Sequence, residues 1–129
     1  MRFVTDTVGV IRAFTNKGHI GAAAIKIFNE TDLNQHEIII PAFALVEIMY
    51  LSERSRIGIN LDETLEKIYS SKNYSIINLN AEIIRKAGFI KDLELHDRLI
   101  VATASQLNLP LITCDQKIID SKIVQTIWN

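Results

Sequence analysis

Four acidic residues of this chain stand where solubility alone explains them poorly. The sequence holds 15 Asp and Glu residues, and Glu53, Asp62, Glu63, Glu66, Glu82 and Asp92 lie in polar surroundings that suit a solvated side chain. Asp6 follows Phe3-Val4-Thr5, and Asp115 follows Leu111-Ile112-Thr113-Cys114, so each ends an apolar, partly β-branched run. Glu47 has Phe43, Ala44, Tyr50 and Leu51 as its neighbours three and four positions away on a helix, none of them charged. An ionised carboxylate on such a face is costly unless it is paired or bound to a metal. Asp97, in Leu95-His96-Asp97-Arg98-Leu99-Ile100-Val101, opens an apolar helical pattern. Each acid also has a plain structural alternative. Asp is a favoured helix cap, which serves Asp6, Asp97 and Asp115, and Glu47 could sit at the rim of the core beside a base. The functional reading rests on all four meeting.

The elements that must bring them together alternate in type. Arg2 to Thr5 is expected to be a strand, followed by a helix over Val8 to Phe14 and another over Ala22 to Phe28. Glu37 to Ile40 is an apolar strand closed by Pro41, and a long helix runs from Ala42 to about Ser55. Asn60 offers a cap for a helix reaching about Tyr69. Tyr74 to Leu79 is strand-like, Ala81 to Ile90 helical, and Asp97 to Leu107 carries apolar residues at helical spacing. Pro110 to Thr113 is a strand, Gln116 to Asp120 a short helical turn, and Ile123 to Ile127 a last strand. Alternating strands and helices imply parallel strands joined by crossover helices, and nearly continuous apolar strands imply that both sheet faces are covered. An α/β sandwich follows, with ligand chemistry expected beyond the carboxyl ends of the strands. That edge is where Asp6 and Asp115 fall.

Bulk properties bound this reading. A chain of 129 residues with 48% hydrophobic and 22% charged residues has the balance of one folded domain, expected here to span 1–129. No linker, repeat or low-complexity segment divides it. The apolar stretch from Ile38 to Leu51 is broken by Pro41 and Glu47, and no signal peptide is read, so no membrane association and a cytoplasmic location are expected. The single cysteine, Cys114, excludes an internal disulfide and a multi-cysteine zinc site. A net charge of −1 runs against the basic surplus of many nucleic-acid binders. Either the bases share one face, or bound cations and a partner chain supply the positive charge.

Four sequence blocks carry a resemblance across essentially the whole chain. Val4-Thr5-Asp6-Thr7, Leu45-Val46-Glu47-Ile48, His96-Asp97-Arg98-Leu99-Ile100-Val101-Ala102-Thr103-Ala104 and Leu109-Pro110-Leu111-Ile112-Thr113-Cys114-Asp115 resemble, in order, the signature blocks of PIN-domain proteins. They most resemble the VapC-type toxins of toxin–antitoxin pairs, and Val124-Gln125-Thr126-Ile127-Trp128 is similar to that group's closing strand. The resemblance implies a three-layer α/β/α sandwich around a parallel sheet of four to five strands. It implies a ribonuclease whose acids line one cleft and hold Mg²⁺ or Mn²⁺. The family's acidic positions map onto Asp6, Glu47, Asp97 and Asp115, with Asp6, Asp97 and Asp115 as metal ligands and Glu47 assisting the metal or the attacking water. Thr7 and Thr113 match positions whose hydroxyls orient an acid or a water. A homodimer and a small antitoxin partner are implied as well.

The chemistry fits these residue types. Hydrolysing a phosphodiester places a hydroxide-like nucleophile against an anionic phosphorus, and hard carboxylate oxygens suit Mg²⁺ and Mn²⁺. A cation relieves the repulsion among clustered acids, acidifies a water and stabilises developing charge. Arg98 is a candidate contact for the scissile phosphate, although an arginine beside an acid at a helix start more often makes a surface pair. His96 is a candidate general acid or ligand, although a lone histidine before a helix is usually neither; His19 and His36 show no suggestive partners, and Cys114 reads as a packing residue. Two phosphate-handling rivals fail on their motifs: the middle strand ends Leu79-Asn80 without an acceptor aspartate, and the first reads Asp6-Thr7-Val8, not Asp-x-Asp. A PIN-like module that only binds a partner, and a housekeeping RNA-processing nuclease, remain as alternatives.

Overall fold

The computed structural model describes residues 1–129. Five strands form the sheet: β1 (Arg2–Thr5), β2 (Glu37–Pro41), β3 (Tyr74–Ile77), β4 (Leu111–Ile112) and β5 (Thr126–Ile127). Seven helices connect them: α1 (Thr7–Thr15), α2 (Ala22–Asp32), α3 (Ala42–Glu53), α4 (Leu61–Tyr69), α5 (Ala81–Phe89), α6 (Leu95–Leu107) and α7 (Gln116–Ser121). The strand order is β3-β2-β1-β4-β5 and every pairing is parallel. The α/β fold and the parallel sheet expected from the alternation are both present, at the upper strand number.

Burial explains the layering. Ile38, Ile39 and Ile40 are consecutive on β2 and all buried, as are Phe3, Val4 and Thr5 on β1. Neighbouring strand residues point to opposite faces, so both faces of the central strands are covered by helices. Burying one isoleucine fully is worth about 1.5–3 kcal/mol, which places the Ile38–Ile40 run in the middle of the sheet. The main core joins these strands to Val10, Ala24, Phe28, Ala44, Ile48, Ile68, Ile100, Val101 and Ile118. A smaller cluster of Ile83, Ala87, Leu99 and Ala102 fastens α5 to α6.

The helix boundaries follow local chemistry. Asn60 and Glu63 form a reciprocal capping box at the start of α4, and Asn80 caps α5 through Ile83 N–H. Asn108 ends α6 in the left-handed conformation with φ 54°, which Asn tolerates, and Pro110 follows. The chain's end is also docked. Trp128 is buried and its carbonyl accepts from Ala24 N–H at 3.0 Å. A Cβ on Gly21 would strike that same carbonyl, so glycine is required there for close approach.

Several boundaries differ from expectation: α2 runs on to Asp32 and does not stop at Phe28, and β4 is confined to Leu111–Ile112 within the expected Pro110 to Thr113. β3 stops at Ile77 and not at Leu79, because its partner β2 ends at Pro41, opposite Ile77, and Asn80 is already a helix cap. β5 begins at Thr126 and not at Ile123, because β4 offers only Leu111 and Ile112 to pair with and Lys122 turns the chain at φ 55°. α6 starts at Leu95, two residues before Asp97. No helix is long and apolar enough to cross a membrane.

Candidate functional site

The sheet order creates the site. From β1 the chain moves outward to β2 and β3, then returns to place β4 on the other side of β1. The crevice beyond the carboxyl ends of β1 and β4 is therefore the topological switch point, where open α/β sheets bind ligands. Thr5 pairs with Ile112, so the residues that follow them, Asp6 and Thr113, meet across the gap. The Thr113 hydroxyl donates to Asp6 Oδ2 at 2.6 Å. Asp6 Oδ1 accepts from Gly9 N–H at 2.8 Å and so caps α1. Asp115 sits at the matching place after β4, where its Oδ1 caps α7 by accepting from Ile118 N–H at 3.0 Å. Its own N–H donates to the Thr113 hydroxyl at 3.1 Å. One threonine thus holds both strand-end acids in register.

Two helices bring in the other acids. Glu47 lies on α3, and its Oε1 accepts from the Thr7 hydroxyl at 2.5 Å. Asp97 lies in the first turn of α6, where Glu94 holds the cap position without a capping hydrogen bond from its side chain. His96 stands between them, its Nε2 3.9 Å from Glu47 Oε2 and 3.7 Å from Asp97 Oδ1. Together these residues line a cleft of about 380 Å³ with Val8, Ile100 and Cys114 among its walls.

Electrostatics confirm that the acids feel one another. Burial raises the Asp6 carboxyl to about 6; hydrogen bonds from Thr113 and Gly9 oppose the rise, and the charges of Asp115 and Glu47 add to it. The Asp97 carboxyl is also raised, first by burial and then by Asp115, with His96 opposing. Burial and the charge of Asp6 push the Cys114 thiol up. Such a cluster of hard oxygen donors has the chemistry that Mg²⁺ or Mn²⁺ favours. As placed, however, no three His, Cys, Asp or Glu side chains close around a common ion position.

All four acids expected from the sequence, and Thr7, line this cleft, and Thr113 supports it from behind. Capping and cleft placement prove compatible for Asp6 and Asp115, since a carboxylate oxygen that caps a helix retains further lone pairs. For Asp97 the capping alternative falls, because the helix begins two residues earlier. Arg98 does not line the cleft. Its Nε is buried without a hydrogen-bond partner. His96, for which the bland reading was favoured over a general acid or ligand, and Cys114, read as a packing residue, both reach the cleft wall, and so do Glu94 and Lys117. The three-residue spacing of Glu94 and Asp97, which puts them on one helical face, was the available signal for Glu94. Nothing local in the sequence marks Lys117.

Comparison with solved structures finds the same fold in toxin–antitoxin proteins. VapBC2 from Rickettsia felis, bound to a DNA fragment from its promoter, superposes with a TM-score of 0.72 at 17% identity, covering 100% of both chains. DNA-bound VapBC from Salmonella typhimurium gives 0.72 at 16% identity, over 98% of this chain and 97% of that one. VapC20 from Mycobacterium tuberculosis, a toxin that cleaves the sarcin–ricin loop, gives 0.72 at 11% identity, over 98% of this chain and 99% of that one. A comparison with curated proteins finds no match. The family model described as PIN domain matches residues 3–122, and the chain belongs to that family.

Proposed function

We propose that this protein is a divalent-metal-dependent endoribonuclease, and that its four-carboxylate cleft is the catalytic site. The observation that carries the proposal is the convergence of Asp6, Glu47, Asp97 and Asp115, from four separate elements, on one cleft at the sheet's switch point. A fold has no structural use for four mutually repelling acids there, since only Asp6 and Asp115 cap helices.

Asp6, Asp97 and Asp115 would hold Mg²⁺ or Mn²⁺, once their side chains turn towards a common ion. The ion, when bound, supplies charge neutralisation and acidifies a water. The chain's own residues do the positioning. Thr113 and the Gly9 N–H fix both oxygens of Asp6, and Ile118 N–H fixes Asp115. Thr7 holds Glu47 by Oε1, which leaves Oε2, on the side facing His96, to steer a water in the cleft. Val8 and Ile100 supply apolar wall that strengthens these polar interactions by thinning the solvent around them.

The toxin reading is supported by the structural neighbours, which include VapBC complexes and a toxin–antitoxin complex from Klebsiella pneumoniae. We extend it to this chain as one domain, a cytoplasmic homodimer held inactive by a small antitoxin. Incubation of antitoxin-free protein with a pool of structured cellular RNA tests the activity. Discrete cleavage in Mg²⁺ or Mn²⁺, abolished by EDTA and by Asp6→Asn or Asp97→Asn, is the expected result. Cleavage that survives EDTA or both substitutions contradicts it.

A further inference from the structure

We infer that Lys117 is the residue that receives the backbone phosphate of the RNA at the cleft rim, a role that rests on the nuclease reading above. Five carboxylates line the cleft, Asp6, Glu47, Glu94, Asp97 and Asp115, and Lys117 is the one permanently charged cation among the lining residues. Its ammonium makes neither an ion pair nor a hydrogen bond with the rest of the chain. The nearest acid along α7 is engaged elsewhere, since Asp120 Oδ1 accepts from Gln116 Nε2 at 2.7 Å. Lys117 is exposed, while the turn that carries it is fixed, because Asp115 caps α7 and Ile118 is buried in the core. A flexible cation on a rigid base, beside acids yet bonded to none, is free to accept an anion that enters the cleft.

An anion has to be received there. Each nucleotide of an incoming strand brings a negative charge to a wall of carboxylates in a chain whose net charge is −1. Arg98, the base nearest in sequence to the acids of α6, does not line the cleft. Lys117 therefore supplies, from the protein itself, the point charge that docks a phosphate without reading a base.

Such a contact has a signature that a packing role lacks. Neutralising one phosphate of a single strand contributes about 0.7 to the slope of log affinity against log salt. Steady-state cleavage of one RNA from the structured cellular pool that the wild type cuts in Mg²⁺ would be measured for the wild type, Lys117→Ala, Lys117→Arg and Lys117→Glu across a salt series. The alanine variant should raise KM about two- to fivefold, in the range of exposed ion pairs, keep its melting temperature, and flatten the salt slope by about 0.7. Arginine should restore the slope and glutamate should raise KM further. Wild-type KM and slope in the alanine variant would overturn the assignment while leaving the nuclease reading intact. A loss that arginine does not rescue, with the slope unchanged, would also overturn it, by showing a structural role. Absence of cleavage by the wild type itself overturns the nuclease reading and this assignment together.

Discussion

Substituting Asp6 by Asn should stabilise the metal-free protein at neutral pH. Asp6 is 8% exposed, and its carboxyl is raised from 3.8 to about 6, mainly by burial. A carboxyl raised on folding binds its proton more tightly in the native state than in the unfolded chain. Its folded state is therefore favoured below the unfolded value near 4, and that stability is lost as pH rises through about 6. A shift of about two units corresponds to about 3 kcal/mol at most. Asn keeps the cap, because its carbonyl oxygen can still accept from Gly9 N–H, and its amide can donate to Thr113 if that hydroxyl rotates. Loss of the charged acceptor weakens those bonds, so a net gain of about 1–2 kcal/mol is expected at pH 7.5. For a chain of this size that raises Tm by roughly 3–8 °C. The assay is thermal unfolding in EDTA from pH 3.5 to 8, followed by near-ultraviolet circular dichroism. The two proteins should converge below about pH 4, diverge between about pH 4 and 6, and keep a constant gap above that. Parallel profiles, or an Asn variant less stable at pH 7.5, would refute the argument that a buried charge burdens this fold.

Other consequences are equally concrete. Thr113→Val removes the hydroxyl shared by Asp6 and Asp115. It should cost about 1–3 kcal/mol in chemical denaturation and push the Asp6 carboxyl higher still, visible by NMR titration of its side-chain carbon. Gly9→Ala would drive a Cβ into the buried Thr5 hydroxyl and to 3.2 Å from Asp6 Oδ1. It should lower stability by about 1–3 kcal/mol and reduce RNA cleavage together. Asn60→Ala dismantles a capping box that touches no cleft residue. It should cost about 1 kcal/mol of stability while the cleavage rate per folded molecule stays unchanged.

Much of this molecule was legible in the sequence because its signals are local. The runs Phe3-Val4-Thr5 and Ile38-Ile39-Ile40 announce strands buried on both faces, and an acid directly after such a strand has only one place to go. Glu47 stood out because its helical neighbours are apolar, and that same setting puts it beside the cleft. What stayed hidden depends on pairing. The early ends of β3 and β5 are set by how far β2 and β4 extend, a fact recorded in no local pattern. Asp97 looked like a helix cap because the apolar pattern strengthens there, yet the helix starts at Leu95. Arg98 sits next to an acid in sequence but one residue around a helix is a different face, whereas Lys117 and His96 reach the cleft through the packing of α7 and α6.

Mn²⁺ binding, followed by electron paramagnetic resonance of the free ion, tests most directly whether the four carboxylates act as one metal site. In the structure they share a cleft, and the charges of Asp115 and Glu47 help raise the Asp6 and Asp97 carboxyls, but the four do not close around a single position. The account predicts saturable Mn²⁺ binding by the wild type at neutral pH, weakened at least about tenfold by Asp6→Asn, Asp97→Asn or Asp115→Asn in proteins that remain folded. Wild-type protein that takes up no Mn²⁺, or binding that all three substitutions leave untouched, would contradict it.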